Sequence, residues 1–337
     1  MTKLPSKLVD LKPEIIHGGL RFCFYGPEAV GKSTLAAHAP KPVFSDVEAG
    51  TAQLHATRYP YRPGEDGGFQ PRTLTEIYDS IDDLHYNDHD FKSFAIDTID
   101  ALETLIYQHI LDRDSGVKSM LNQKGKDLTS VESYGYGKGF GVALDEWRKL
   151  IARLDKLRLH RGMNIILLGH TQVKKFHNPD GEDWDRYQLR VQDTEKASVA
   201  GLLKGWVDVL GFCTYEQGAG RLDEGQAKAK GWSTGRRLVK LERTAAYDAK
   251  SRIVMPAEIE LRVDDPWTPF AEALKAGREL SAEDLVELLR DEVKNCDDVT
   301  TKKVAIAVKN AKGNVATLSR YLNNLKRRNA EKENENE

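Results

Sequence analysis

Cysteine is scarce in this chain of 337 residues: Cys23, Cys213 and Cys296 stand alone, and none has the paired spacing of a disulfide scaffold or a zinc ribbon. That usage suits a reducing compartment. No run approaches the roughly 18 apolar residues of a membrane span, and the opening MTKLPSKLVDLKPE lacks the apolar centre of a secretion signal. A soluble, cytoplasmic protein without a membrane partner is therefore expected. A surplus of charge is missing too, since 50 Lys and Arg stand against 52 Asp and Glu for a formal net charge of −2. This excludes a uniformly basic nucleic-acid coat and confines any such site to a local patch. Internal repeats are absent, and the 40% of hydrophobic residues suffices for one good core with a smaller appendage.

What the chain does have is the stretch RFCFYGPEAVGKSTLAAHA, in which an apolar run meets Gly26, four residues, and then Gly31-Lys32-Ser33. This is the spacing of a phosphate loop. The two glycines let the backbone wrap closely enough for successive N–H groups to face the phosphates, and the following helix offers its positive end. Gly26, Pro27, Glu28, Ala29, Val30, Gly31, Lys32, Ser33 and Thr34 are the expected nucleotide-binding residues. Lys32 reaches the β- and γ-phosphates of ATP, and the Ser33 hydroxyl ligates Mg²⁺.

Around this motif strand-like and helix-like segments alternate, which predicts an α/β layer fold. Strands are expected at Lys41–Val47, Ser93–Asp97, Asn164–Gly169, Val207–Tyr215 and Arg237–Glu242, and helices at Arg72–Leu84, near Asp100–Leu111, and from Val142 to about Leu159. Thr73 and Glu76 have the spacing of a capping box. Asp97 closes the strand SFAID and is the natural second carboxylate for the metal. It is followed by Thr98 rather than by a glutamate, so the residue that activates water must come from elsewhere. Glu48, at the end of VFSDVE, is the best-placed acid.

GPEAVGKST, SDVEAG, FAIDTIDAL and IILLGHTQV, in that order, resemble the motif series of RecA-like P-loop ATPases, and the layout is most similar to the ATP-binding proteins of phages and prophages linked to single-strand annealing or recombination. The resemblance implies a mostly parallel sheet between helices. It also implies that Glu48 activates water, Asp97 serves the metal and Gln172 senses the γ-phosphate, with His170 as the alternative sensor. DAKSR resembles the K-x-R hairpin of DnaB-type helicases, which implies that Lys250 and Arg252 act as fingers in a neighbouring subunit's site. Such a contact is head-to-tail and gives a ring or a filament. The implied protein is an ATPase on single-stranded DNA in recombination, annealing or repair, in a bacterial or phage-infected cell, with a single-strand DNA-binding protein as a further partner. The rivals are a DnaB-like ring translocase and a low-turnover ATP-gated mediator.

Two polar connections carry cations interleaved with aromatics, the composition that suits a single strand because cations take phosphates and rings stack on bases. The first, Asp114–Gly141, holds Lys118, Lys124, Lys126, Tyr134, Tyr136 and Lys138. The second, Val173–Lys196, holds Lys174, Lys175, Phe176, Trp184, Arg186, Tyr187 and Arg190, though its Glu182, Asp183 and Asp185 also suit a solvated loop. The division expected is an N-terminal extension over 1–19, an ATPase core over 20–263, a helical region over 264–328 and a disordered polar tail over 329–337.

Overall fold

The computed structural model describes residues 18–62, 68–115, 128–178, 181–220, 230–280, 282–294 and 296–335. Lys118, Lys124 and Lys126 lie outside the described residues. In chain order the elements are β1 (Arg21–Gly26), α1 (Lys32–Ala37), β2 (Pro42–Asp46), β3 (Thr57–Arg58), α2 (Leu74–Tyr86), β4 (Ser93–Asp97), α3 (Ile99–Asp114), a 3₁₀ turn (Val131–Tyr134) and α4 (Lys138–Arg161). They continue with β5 (Asn164–Phe176), β6 (Trp184–Leu189), α5 (Val199–Trp206), β7 (Val209–Gly220), β8 (Lys230–Lys240), β9 (Lys250–Ser251), β10 (Glu258–Glu260), α6 (Trp267–Glu279), α7 (Ala282–Val293), α8 (Asp298–Ala311) and α9 (Val315–Glu335).

The sheet runs β10-β8-β7-β1-β5-β4-β2-β3, with β6 paired to β5 and β9 to β7. From β7 through β3 the neighbours are parallel, and β8 and β10 add an antiparallel flank. Period-two alternation sorts each central strand between two cores. Cys23 and Tyr25, Phe94 and Ile96, Ile165 and Leu167 face one side, while Phe22 and Phe24, Ala95, Ile166 and Leu168 face the other. Both faces are covered, which is why these strands read as continuous apolar runs. The α/β core with a mostly parallel sheet between helices is thus the observed fold class, and C-terminal helices follow it as expected.

Trp267 and Phe270 of α6 pack edge-on against Phe22, with centroids 5.8 and 5.6 Å apart. This helix therefore completes the second core. α7 and α9 instead gather Leu285, Leu289, Leu318, Leu322 and Leu325 around a small cluster that touches the rest through Val254. The polar tail expected to be disordered from residue 329 is helical as far as Glu335. Its leucines anchor the preceding turns, and residues of good helix propensity then extend a helix already nucleated.

The second polar connection is not an irregular loop. Residues 173–176 prolong β5 and pair with β6 as an antiparallel hairpin, Phe176 opposite Trp184 and Val173 opposite Tyr187. Cross-strand aromatic and β-branched pairs stabilise such a ribbon, and the density of charge obscured that alternation. α4 likewise starts four residues before Val142, at Lys138.

Candidate nucleotide site

The phosphate loop leaves β1 at its carboxyl end, the position where open α/β sheets bind ligands. A Cβ on Gly26 would lie 2.0 Å from the Cys213 carbonyl oxygen, so only glycine lets the loop pass this close to β7. Gly31 caps α1 with φ 98°, a left-handed conformation that glycine adopts without steric cost. Lys32 folds back over the loop, its Nζ donating to the carbonyls of Pro27 (2.7 Å) and Gly26 (3.2 Å). Burial lowers the pKa of this ammonium, while Asp97, Asp100 and Glu48 favour its charged form. A buried cation bonded only to neutral carbonyls is poised to exchange them for phosphate oxygens.

The Ser33 hydroxyl donates to Asp97 Oδ2 at 2.6 Å. Asp97 is buried, and that burial raises its carboxyl pKa to about 6, with Asp46 and Glu48 adding to the rise against the Ser33 hydrogen bond. A hydroxyl and a carboxylate converging on one point are hard oxygen donors, the set that Mg²⁺ takes alongside phosphate and water. The residues present therefore fit the metal, which would be held by Ser33 and Asp97 and would neutralise charge on the β- and γ-oxygens when bound. The Asp97–Thr98 peptide is cis.

Asp46 and Glu48 divide the labour of the SDVEAG stretch. Asp46 accepts from Gly50 N and Thr51 N at 3.1 Å and from the Thr51 hydroxyl, fixing the turn. Glu48, whose N–H donates to the Asp97 carbonyl at 3.1 Å, leaves its side chain 44% exposed. Its Oε2 accepts from the Thr98 hydroxyl at 3.0 Å and lies 3.9 Å from His170 Nδ1. This carboxylate stands beside the metal pair and remains accessible to water.

His170, rather than Gln172, meets the acids. Its N–H and Nδ1 lie 3.1 and 2.9 Å from the two oxygens of Asp100, while the Gln172 amide donates to Leu189 O across the hairpin. Burial alone would raise the pKa of Asp100. Hydrogen bonds from His170 and Arg190 outweigh it and hold this carboxyl well below the usual range. Arg190, one of the cations expected to face DNA, instead turns its guanidinium to the phosphate loop, 2.7 Å from Asp100 and 3.9 Å from Glu28. On the opposite flank Tyr215 donates to Ala29 O at 2.9 Å, and the Arg237 guanidinium lies against Gly31. Tyr215 and Arg237 carry no sequence signal for this place, because their contacts are purely tertiary. Asp100 does carry one, as an acid in the first turn of the helix that follows the strand ending in Asp97.

Arg252 lies at the other end of β1, level with Arg21 and roughly 16 Å along the strand from Gly26, and Lys250, level with Cys23 through Leu210, is about 10 Å from Gly26 at ~3.3 Å per residue. Arg252 donates to Asp208 Oδ1 (3.0 Å) and Gly205 O (2.6 Å) of its own chain, and Asp208 also binds Arg21 at 2.7 Å. Burial, with Arg252 nearby, lowers the Lys250 pKa to about 8. Burial would raise the pKa of Asp208, but hydrogen bonds from Arg21 and Arg252 outweigh it and hold the carboxyl low. Its contribution to stability is therefore complete above the unfolded value near 4 and is lost as pH falls through the depressed folded value. Asp208→Asn is expected to cost about 3 kcal/mol in urea unfolding at neutral pH, because two arginines lose a buried partner, and to flatten the loss of stability below about pH 4.

On the hairpin, Lys174 and Lys175 are exposed. Phe176 and Trp184 pack against each other with centroids 4.8 Å apart, and Trp184 Nε1 donates to Ala245 O. Arg186 is buried and serves the structure, donating to the carbonyls of Thr244 and Tyr247 and to Asp248. In the first connection Tyr134 is spent on Asp114 and the Ile110 carbonyl, Tyr136 is exposed, and Lys138 opens α4.

A family profile described as an AAA domain matches residues 18–253. No curated protein matches the chain. Among solved structures, the RadB recombinase aligns at 13% identity with a TM-score of 0.36, over 73% of this chain and 88% of that one.

Proposed function

Because the chain belongs to the AAA domain family, with the match spanning the whole phosphate-loop core, we propose that this ATPase uses Mg²⁺ and works on single-stranded DNA in recombination, annealing or repair. The observation that carries the reading is the Ser33–Asp97 pair beneath the loop with Glu48 across from it. Water attacks the γ-phosphorus, the bond to the β,γ-bridging oxygen breaks with its electron pair left on ADP, and the proton of the water passes to Glu48. Lys32 places positive charge against the phosphoryl oxygens, where such a transition state needs it, and Mg²⁺ held by Ser33 and Asp97 would supply the rest.

The single-strand reading is supported by the continuity of β5. Two residues separate His170 from Val173, so the strand that meets Asp100 becomes the hairpin that presents Lys174 and Lys175. Removing both lysines is expected to reduce the slope of log affinity against log salt by about 1.4, at ~0.7 per lost phosphate contact on single strands. Trp184→Ala is expected to cost about 1–3 kcal/mol of single-strand affinity through the Phe176–Trp184 face. Fluorescence anisotropy of a labelled oligonucleotide, with and without a non-hydrolysable ATP analogue, measures both. Identical titrations for the three proteins would remove the hairpin from the DNA site.

A second reading, a low-turnover ATP-gated mediator, is favoured by one observation: Arg252 is bonded within its own chain to Asp208 and Gly205. Head-to-tail assembly with Arg252 and Lys250 acting in trans requires those bonds to be exchanged at an interface. ATP turnover with Mg²⁺, with and without single-stranded DNA, separates the two. Strong stimulation supports the recombination ATPase, and slow turnover indifferent to DNA supports the mediator.

A further inference from the structure

We propose that Arg190 is a cis-acting cation for the terminal phosphate of the nucleotide, held in readiness by Asp100 and masked by Glu28 until ATP arrives. The inference rests on the ATPase reading and adds to it a residue that distinguishes ATP from ADP. Arg190 directly follows β6, and its backbone N–H donates to His170 O at 3.0 Å. One edge of the guanidinium is fixed, since Nη2 donates to Asp100 Oδ2 at 2.7 Å with His170 Nδ1 at 3.2 Å. The other nitrogen, Nη1, points at the phosphate loop and lies 3.9 Å from Glu28 Oε1.

That last distance exceeds hydrogen-bond range, so Glu28 attracts the guanidinium without binding it. The Glu28 side chain is 77% exposed and is free to swing out. The metal pair and Glu48 lie on this same flank of the loop, which fixes the γ end of a triphosphate here. A guanidinium anchored along one edge by a partly buried carboxylate keeps its remaining donors in a rigid plane, the geometry that suits phosphate oxygens. When ATP binds, the γ-phosphate replaces Glu28 as the anion facing Nη1. ADP offers no such group. Because Arg190 directly follows the second strand of the hairpin, the same exchange reports nucleotide state to Lys174 and Lys175.

The test compares binding of ADP and of a non-hydrolysable ATP analogue, with turnover, in Arg190→Ala, Arg190→Lys, Glu28→Gln and the Arg190→Ala/Glu28→Gln pair. Arg190→Ala is expected to weaken the analogue about 10- to 100-fold, the loss of charge-assisted hydrogen bonds, and to leave ADP within about twofold. Turnover falls by about 10²-fold or more, as for other donors aimed at charge that develops in the transition state. Arg190→Lys recovers part of both losses, and free guanidinium ion restores turnover to Arg190→Ala. Glu28→Gln tightens the analogue more in the wild-type background than when Arg190 is absent. Equal weakening of ADP and analogue reduces Arg190 to a structural support of Asp100 and overturns the proposal, as does an unchanged preference in a protein that hydrolyses ATP normally. A wild type that neither binds nor hydrolyses ATP, with Lys32→Ala indistinguishable from it, overturns the ATPase reading as well.

Discussion

Lys32→Ala is expected to weaken ATP binding by about 30-fold to several thousand-fold, the range that follows from removing one partner of a desolvated charge pair at 2–5 kcal/mol. The size of the effect comes from where the ammonium sits. Lys32 is buried and bonded to two neutral carbonyls of its own loop, so it has lost much of its hydration while the nearby carboxylates act on it only at a distance. Phosphate oxygens supply a counter-charge in contact, and both β- and γ-oxygens share it, so ADP is weakened along with ATP. Isothermal titration with each nucleotide measures the loss. An affinity within threefold of wild type would show that the backbone of the loop alone holds the phosphates.

Glu48→Gln is expected to behave in the opposite way, with nucleotide affinity within about threefold of wild type and turnover reduced by about 10²- to 10⁴-fold, the range for a positioned general base. The amide keeps the Thr98 hydrogen bond that orients the side chain but cannot accept the proton of the attacking water. A group needed only in the transition state lowers kcat and kcat/KM together. Single-turnover hydrolysis with bound ATP isolates the step. Normal hydrolysis by Glu48→Gln would transfer the role to Asp100, which the structure makes a poor base, since His170 and Arg190 hold its carboxyl far below the usual range.

How much of this was legible beforehand depends on how local each signal is. The phosphate loop, SFAID and NIILLG lie in continuous runs whose spacing or hydrophobicity is self-contained, and Ser33, Asp97 and Glu48 converge where motif order placed them. Thr73 likewise accepts from Glu76 N, as its spacing required. Residues defined by what lies opposite them in space carry no such local signal. Arg190 reads as one more cation in a basic and aromatic stretch, and only the return of β6 against β5 brings it to Asp100, 90 residues away. Arg186 reads the same way, yet it is buried. Composition told that the segment was charged and aromatic, but not which of its faces was already occupied.

The seam between β6 and residues 244–248 has a thermodynamic consequence. Arg186, Trp184 and the Tyr187 N–H all donate across it, and Tyr247 stacks on Phe212 with ring planes 16° apart. Two stretches separated by some 60 residues of chain are thereby ordered in a single event, because neither keeps its donors or acceptors satisfied without the other. The hairpin and the segment that leads into Lys250 form one cooperative unit, and opening the first at its base exposes the second.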